Sequence, residues 1–214
     1  PLTELLDALA IEIPTSAVGL RLVGADGYHA GIPLEDLFEG PVWIVWRMNG
    51  EDLPFDHGAP ARLLVPGRYG VKNLKWLDEI AFVDTPHVSY WTPKGWSEEA
   101  VYQPNTMIVS PMDGMKLEAN LPTRILGTAY AGGDPVVKVE ARLDGGSWEE
   151  IDVEYVSSSP DTWVLWSYAF TPTEGDHTIQ VRCTTASGAR SSDEPAGTDQ
   201  FHGYDGSMQI TVSA

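Results

Sequence analysis

Residues that could hold an anion are concentrated between His57 and Leu77. This stretch, HGAPARLLVPGRYGVKNLKWL, contains four obligate cations and no Asp or Glu, whereas the whole chain has 13 Lys and Arg against 31 Asp and Glu. The cations are Arg62, Arg68, Lys72 and Lys75, and His57 is a fifth possible donor. Unopposed cations concentrate small anions, and glycines let a backbone approach a ligand closely. The stretch therefore predicts a phosphate-bearing ligand held by loops, with a solvated basic face as the alternative.

The elements that carry this loop belong to a mixed portion with few and short helices. A stripe of four leucines over residues 2–9 predicts an opening helix, which Pro14 should stop. Alternating apolar residues predict strands, and the pattern after Pro33 predicts one further short helix. The strands are expected over residues 17–23, 42–46 and 75–83, and the helix over residues 33–38.

The rest of the chain reads as all-β. Seven apolar or alternating runs, separated by turn-forming residues, occupy residues 105–214, which is the pattern expected of an immunoglobulin-like sandwich. The runs cover residues 106–112, 124–131, 136–143, 148–156, 162–170, 177–184 and 207–213. The predicted fold class is mainly β with an α+β N-terminal part, and the predicted domains are residues 1–104 and 105–214.

The core of the predicted sandwich can be assigned from the alternation. In the clearest strand, four residues should face inward, namely Val137, Val139, Ala141 and Leu143. Cys183 occupies the buried phase of a later strand, which predicts a structural thiol and not a reactive one. The largest core residues are expected to be Trp148, Trp163 and Trp166.

Composition excludes several functional classes. A sequence pI near 4.4 argues against nucleic-acid and anionic-membrane partners, because both require a basic face. No run of about 18 apolar residues is present, so no transmembrane helix is predicted. The single cysteine rules out an internal disulfide or a cysteine-based metal cluster. The histidines show no i, i+4 pairing, so we predict no metal site from them; they are His29, His57, His87, His177 and His202.

The order of residues in the basic stretch resembles the cofactor-binding signature of the sulfite oxidase family of molybdenum enzymes. That signature is H-G-x-P-x-R, then V-P-G, a Gly three residues on and a K-W pair. The matching residues are His57, Gly58, Pro60, Arg62, Val65, Pro66, Gly67, Gly70, Lys75 and Trp76. The segments GYHAGIPLEDL and MNGEDLPFDHGAPAR are similar to the same family, whose active-site tyrosine falls on Tyr28.

The resemblance implies a site and a chemistry. Tyr28 would be a catalytic residue that donates a hydrogen bond near the oxyanion substrate. The residues implied to hold a molybdenum-molybdopterin cofactor are His57, Arg62, Asn73, Leu74 and Lys75. Of these, Asn73 and Leu74 would act through their backbone and Arg62 through a bidentate phosphate contact. The implied reaction is oxygen-atom transfer to or from a small oxyanion such as sulfite, with electrons passed to a cytochrome or haem protein.

The second half also resembles a family counterpart. Ser110-Pro111, the run from Gly127 to Gly133 and the LDGGSW segment from Leu143 to Trp148 are similar, in this order, to the C-terminal dimerisation domain of sulfite oxidases and eukaryotic nitrate reductases. The resemblance implies a homodimer paired through the sandwich. It also implies a C-terminal portion of a longer parent, for which a periplasmic or other extracytoplasmic compartment is favoured.

Two departures from the family pattern limit these implications. Family members hold molybdenum through a cysteine in the earlier half of the cofactor domain, whereas Cys183 aligns with the sandwich. An arginine that sulfite oxidases carry in an aromatic strand has no equivalent in TWVLWSYAF, residues 162–170, which leaves the substrate open. We therefore expect no bound molybdenum and no turnover from these 214 residues alone. The alternatives are a non-catalytic dimerisation or interaction module derived from the family, and a cofactor-free adhesion or carrier domain.

Overall fold

The computed structural model describes residues 1–193 and 207–214. These residues form fifteen strands and two short α-helices, so the predicted class, mainly β with an α+β N-terminal part, is confirmed. Two compact units are separated between Val101 and Tyr102. The domain limits predicted at residues 104 and 105 stay a prediction. None of the described helices is long and apolar enough to cross a membrane.

The first unit, Pro1–Val101, is built on a three-stranded antiparallel sheet with two short ribbons. Its α-helices are α1 (Leu2–Ala8) and α2 (Asp36–Glu39), and its 3₁₀ turns are Phe55–His57, Gly70–Lys72 and Thr92–Lys94. Its strands are β1 (Gly19–Gly24), β2 (His29–Pro33), β3 (Trp43–Val45), β4 (Arg47–Met48), β5 (Glu51–Asp52), β6 (Arg62–Leu64) and β7 (Leu77–Val83). Strand β1 lies between β2 and β7, β3 pairs with β6, and β4 pairs with β5.

The opening helix is shorter than its leucine stripe predicts. It ends at Ala8 and buries Leu2 and Leu6, whereas Leu5 and Leu9 are exposed. A helix of two turns presents only residues four apart to a narrow contact surface, so half of the stripe is left outside. The buried leucines join a core formed with β1, β2 and β6, and this core supports the loops that follow those strands.

The second unit, which begins at Tyr102, is a sandwich of two four-stranded antiparallel sheets. Its strands are β8 (Asn105–Ser110), β9 (Thr123–Tyr130), β10 (Val136–Leu143), β11 (Glu149–Glu150), β12 (Asp152–Tyr155), β13 (Val164–Phe170), β14 (Asp176–Thr185) and β15 (Met208–Ser213). One sheet has the order β11-β10-β14-β15 and the other β12-β13-β9-β8. One core cluster draws on both sheets, so the two sheets pack face to face as predicted.

The predicted run over residues 148–156 is two strands in different sheets. Strand β11 pairs with β10, and β12 pairs with β13 in the facing sheet. The chain changes sheets at Ile151, whose side chain is buried in the core and whose amide donates to the carbonyl of Val139 at 3.0 Å. A change of sheet leaves the apolar alternation nearly unbroken, which is why the sequence reads as one strand.

Part of the core assignment is wrong. A register shift between Val136 and Lys138 turns Val137 outward, where it is 60% exposed, and places Val136 inside instead. A bulge adds one residue to a strand and so inverts the alternation on one side of it. Cys183, by contrast, is fully buried, as predicted.

Of the three tryptophans predicted to fill the core, one does so and two do not. Trp166 is buried in the core, as predicted, but Trp148 and Trp163 do not fill it. The guanidinium groups of Arg142 and Arg182 lie over the ring of Trp148, at 4.7 and 4.1 Å from its centroid. Trp163 stacks on the ring of Tyr130 with 5.2 Å between centroids. Aromatic rings also interact favourably with cations and with other aromatic rings. The presence of a tryptophan in a strand therefore does not show that its side chain lies in the core.

Candidate functional site

Two cations of the basic stretch converge on one tight turn, Phe55–His57. The guanidinium of Arg62 donates from Nη1 to the carbonyl oxygen of His57 at 3.2 Å. The ammonium of Lys75 donates to the preceding carbonyl oxygen, that of Asp56, at 2.6 Å. Within the described ranges, neither cation has a carboxylate within ion-pairing distance. Adjacent acceptors therefore bring two unneutralised positive charges to the same turn.

Arg62 is the more constrained of the two. It also donates to the carbonyl of Asn73 from Nη2 at 3.0 Å and to that of Leu63 from Nε at 3.4 Å. Burial lowers the pKa of its guanidinium from the usual value, although arginine stays charged at any working pH. A guanidinium has five N–H donors and an ammonium three. Two donors on Arg62 and two on Lys75 are therefore left for a further acceptor.

Gly58 makes the close approach of this turn to Lys75 possible. It follows Phe55–His57 with φ of 106°, in the left-handed region, which glycine adopts without strain. A Cβ at this position would lie 2.9 Å from the Cβ of Lys75. The carbonyl of Gly58 accepts from the amide of Trp76 at 3.2 Å, and the indole of Trp76 donates to the carbonyl of Phe55 at 3.0 Å. The turn is thus fixed to the segment that carries Lys75.

The remaining residues predicted to hold the cofactor lie beside this turn but are already engaged. The side-chain amide of Asn73 accepts from the amide of Val65 at 2.7 Å and donates to two carbonyls of the preceding turn. Leu74 is buried in the core, and its carbonyl accepts from the amide of Leu63. The structure brings His57, Arg62, Asn73 and Lys75 together, whereas the side chain of Leu74 points into the core.

The other two cations of the stretch do not belong to this cluster. Nη2 of Arg68 lies 2.9 Å from each carboxylate oxygen of Asp36, and the ammonium of Lys72 lies 2.6 Å from Oε1 of Glu98. Arg68 and Lys72 therefore do not add to the local excess of positive charge that the basic stretch predicts. Their partners lie 32 and 26 residues away in sequence, so the local charge pattern could not reveal them.

Tyr28 immediately precedes β2 and has a defined hydrogen bond. Its hydroxyl donates to the carbonyl of Val71 at 2.7 Å, and its ring lies 5.6 Å from that of Tyr90. Burial, with the nearby charges of Glu98 and Asp26, raises the pKa of Tyr28 to about 12. The phenol is therefore a neutral hydrogen-bond donor at any working pH, the protonation state on which its predicted role depends.

Two features near Tyr28 have no signature in the sequence. One is a hydrogen bond between His87 Nε2 and His29 Nδ1 at 2.9 Å; burial and the neighbouring His29 lower the pKa of His87. The other is the Lys72–Glu98 pair. In the described part of the chain, no group of three or more potential metal ligands occurs, and His202 lies outside that part.

The only cysteine of the sequence, Cys183, is remote from the basic stretch in sequence and has an unreactive, buried thiol. Cys183 lies in β14, and burial raises the pKa of its thiol to about 11. Its sulfur contacts the hydroxyl of Ser191 at 3.4 Å. A buried thiol with a raised pKa is a poor metal ligand, because metals bind the thiolate.

Two family models match the chain in the order of its two units. Residues 1–91 match the oxidoreductase molybdopterin binding domain, and residues 104–181 match the bacterial Ig domain. The first match contains Tyr28 and the whole cluster around Arg62 and Lys75.

Curated relatives include sulfite oxidases and nitrate reductases. The mitochondrial sulfite oxidase of Mus musculus is 31% identical over 163 residues, which cover 65% of this chain and 30% of that protein. The human mitochondrial sulfite oxidase is 29% identical over 180 residues, covering 73% and 33%. The NADPH nitrate reductase of Emericella nidulans is 34% identical over 142 residues, covering 53% and 16%. The chain spans about a third of the length of the sulfite oxidases that it matches.

A solved structure shares the fold over almost the whole chain. The sulfane dehydrogenase SoxCD from Paracoccus pantotrophus superposes with a TM-score of 0.79 over 98% of this chain and 58% of that chain, at 22% identity. At this identity the likeness concerns the fold alone. The two family models and the curated relatives together support a sulfite oxidase-family molybdopterin oxidoreductase.

Proposed function

We propose that these 214 residues form the C-terminal portion of a longer molybdenum-cofactor oxidoreductase and hold the phosphate of its pterin. The parent would transfer an oxygen atom to or from a small oxyanion such as sulfite. The observation that carries the proposal is the convergence of Arg62 and Lys75 on the carbonyls of Asp56 and His57 without a carboxylate partner in the described ranges. A guanidinium fork beside an ammonium suits phosphate, which can accept from several charged donors at once.

The residues of this chain fit the anionic part of the cofactor. Arg62 and Lys75 keep spare donors, and the backbone of His57 and Gly58 bounds the turn on which they meet. The metal itself has no thiolate ligand here, because Cys183 is buried in the sandwich. When bound, the molybdenum cofactor supplies the oxygen-transfer chemistry. We therefore propose that the chain alone has no turnover and binds no molybdenum.

Tyr28 is proposed to orient the substrate. Its phenol is neutral and donates to the carbonyl of Val71, a bond that an anionic substrate oxygen can replace by a stronger, charge-assisted one. A neutral donor assists an oxyanion without adding the repulsion that a carboxylate would. Electrons would pass from the parent to a cytochrome or haem protein, as the family resemblance implies. Strand β13 has no cation among its seven residues, so sulfite is one candidate substrate among small oxyanions.

The phosphate site can be tested on the chain itself. Inorganic phosphate is titrated into ¹⁵N-labelled protein at constant ionic strength, and the amides of His57, Gly58 and Trp76 are followed. We expect Lys75→Gln to weaken binding at least about threefold, because a charge-assisted donor is lost. Lys94→Gln, the same change on the same unit, is the control and should leave the affinity within about twofold. Equal weakening by both variants would mean that phosphate senses only net charge.

A complementary experiment uses the longer parent. Arg62→Ala should empty the cofactor site, which metal analysis and pterin fluorescence of the purified parent would report. Stoichiometric molybdenum in that variant would refute the assignment of Arg62. A wild-type parent without molybdenum or pterin would instead favour the alternative, a non-catalytic interaction module.

We also propose that the sandwich forms a homodimer through the outer face of the sheet β12-β13-β9-β8. A row of cross-strand neighbours on this face runs Met107, Thr128, Leu165 and Tyr155, and its three large members are exposed. An exposed apolar row spanning four strands is typical of an interaction surface. Sedimentation analysis should show a dimer that Leu165→Asp dissociates; a monomeric wild type at all concentrations would refute this proposal.

A further inference from the structure

We propose that Lys72 and Glu98 are positioning residues that hold in place the phenol of Tyr28 and its resting acceptor, the carbonyl of Val71, which substrate then replaces. The inference rests on the proposed function only in that Tyr28 acts on substrate. It gives a role to Lys72 and Glu98, which do not belong to the cluster around Arg62 and Lys75. The argument starts from the hydrogen bonds of the Lys72 ammonium.

The ammonium of Lys72 is almost completely enclosed. The residue is 3% exposed, and its nitrogen donates to the carbonyl of Gly31 at 2.7 Å, the hydroxyl of Ser89 at 2.9 Å and Oε1 of Glu98 at 2.6 Å. These bonds use all three of its donors. Burial lowers the pKa of Lys72, and the bond to Glu98 opposes that effect. A buried cation with every donor engaged has one available position, because any displacement leaves a polar group unpaired.

Glu98 accepts the remaining hydrogen bonds of the network. Its carboxylate accepts from the amide of Ser89 at 2.9 Å, the hydroxyl of Ser89 at 2.6 Å and the hydroxyl of Thr92. Burial by itself would raise the pKa of Glu98, but hydrogen bonds from Lys72, Ser89 and Thr92 lower it to about 2. The carboxylate therefore stays charged at any working pH and holds the segment from Ser89 to Glu98 closed.

This network fixes both ends of the Tyr28–Val71 hydrogen bond. Val71, the acceptor, immediately precedes Lys72 in the turn Gly70–Lys72, while Gly31 lies three residues after Tyr28 in β2. The same ammonium thus ties the turn that carries the acceptor to the strand that follows the donor.

The segment that Glu98 holds also contacts the phenol ring. Ser89 accepts from the amide of Gly31 at 2.9 Å, and the next residue, Tyr90, packs against the ring of Tyr28. The Lys72–Glu98 ion pair therefore connects the elements that hold the ring and the hydroxyl of Tyr28. Removing either charge should let the phenol change its orientation and should also change its electrostatic environment.

The test reads Tyr28 directly and needs no cofactor. Protein labelled with ¹³C at tyrosine Cζ is observed by NMR at pH 7, where the phenol is neutral, and the Tyr28 resonance is assigned with Tyr28→Phe. Glu98→Gln keeps the side-chain shape but removes the charge that pairs with Lys72, so the Tyr28 resonance should shift and broaden relative to wild type.

Two further variants separate positioning from general effects. Glu79→Gln, which removes an exposed partner of Arg21 in the same unit, should leave the Tyr28 resonance at pH 7 unchanged. Lys72→Met should shift and broaden the Tyr28 resonance at neutral pH, because the Val71 carbonyl loses its anchor. If Lys72→Met does not fold, Glu98→Gln decides alone, with circular dichroism at pH 7 reporting its folding.

The outcomes are distinct from those for the phosphate site. An unchanged Tyr28 resonance at pH 7 in Glu98→Gln, or an equal change in Glu79→Gln, would overturn the positioning role. A phosphate affinity indifferent to Lys75 would refute the proposed cofactor contact and leave the Tyr28 result standing. The two proposals therefore fail on different residues and different signals.

Discussion

Lys72→Met is expected to destabilise the first unit by about 3 kcal/mol. Methionine fills the space of the aliphatic stem but supplies no donor, so the carbonyl of Gly31 and the carboxylate of Glu98 lose the ammonium, while the hydroxyl of Ser89 keeps the Gly31 amide as its donor. Each unsatisfied buried group costs about 1–3 kcal/mol. Breaking a fully buried ion pair costs about 3–5 kcal/mol. The Glu98 side chain is 39% exposed and can rehydrate, which places the expected loss at the lower end.

Native-state hydrogen exchange of the Gly31 amide is the appropriate measurement. That amide donates to the hydroxyl of Ser89, so it reports opening of the network even though the chain has two units that can unfold separately. Arg21→Met, which breaks the exposed pair with Glu79, is the control and should cost under about 1 kcal/mol. If protection of Gly31 falls no further in Lys72→Met than in this control, the network does not stabilise the unit.

Two further predictions concern the sandwich. Gly127→Ala should strongly lower the thermal midpoint of the sandwich or prevent its folding, because a Cβ there would overlap the ring of Trp166 and the carbonyl of Met107. A midpoint within 2–3 °C of wild type, about the shift expected for under 1 kcal/mol, would show that the core can relax. The bond between His177 and Asp144 raises the pKa of His177, and for Asp144 the bonds from His177 and Thr178 outweigh burial and lower the pKa. The pair should therefore stabilise most between about pH 4 and 6.5, and the difference in midpoint between wild type and His177→Gln should shrink above this range as His177 loses its proton.

What the sequence determines about this protein is local. Turn residues and apolar alternation place the strands of both units, because those patterns depend on neighbours a few residues apart. The same locality puts His57, Arg62 and Lys75 in one stretch, with Gly58 supplying the left-handed turn that Lys75 packs against. The family resemblance also follows from residue order alone.

Tertiary structure decides which charges remain available and which strand faces are buried. Arg68 and Lys72 look equivalent to Arg62 and Lys75 in the sequence, but distant carboxylates neutralise them. A bulge inverts the phase at Val137, and other strand residues change sheets without losing their alternation. The reason is the same in each case: ion pairing and sheet membership depend on contacts between residues tens of positions apart, which periodicity and composition do not encode.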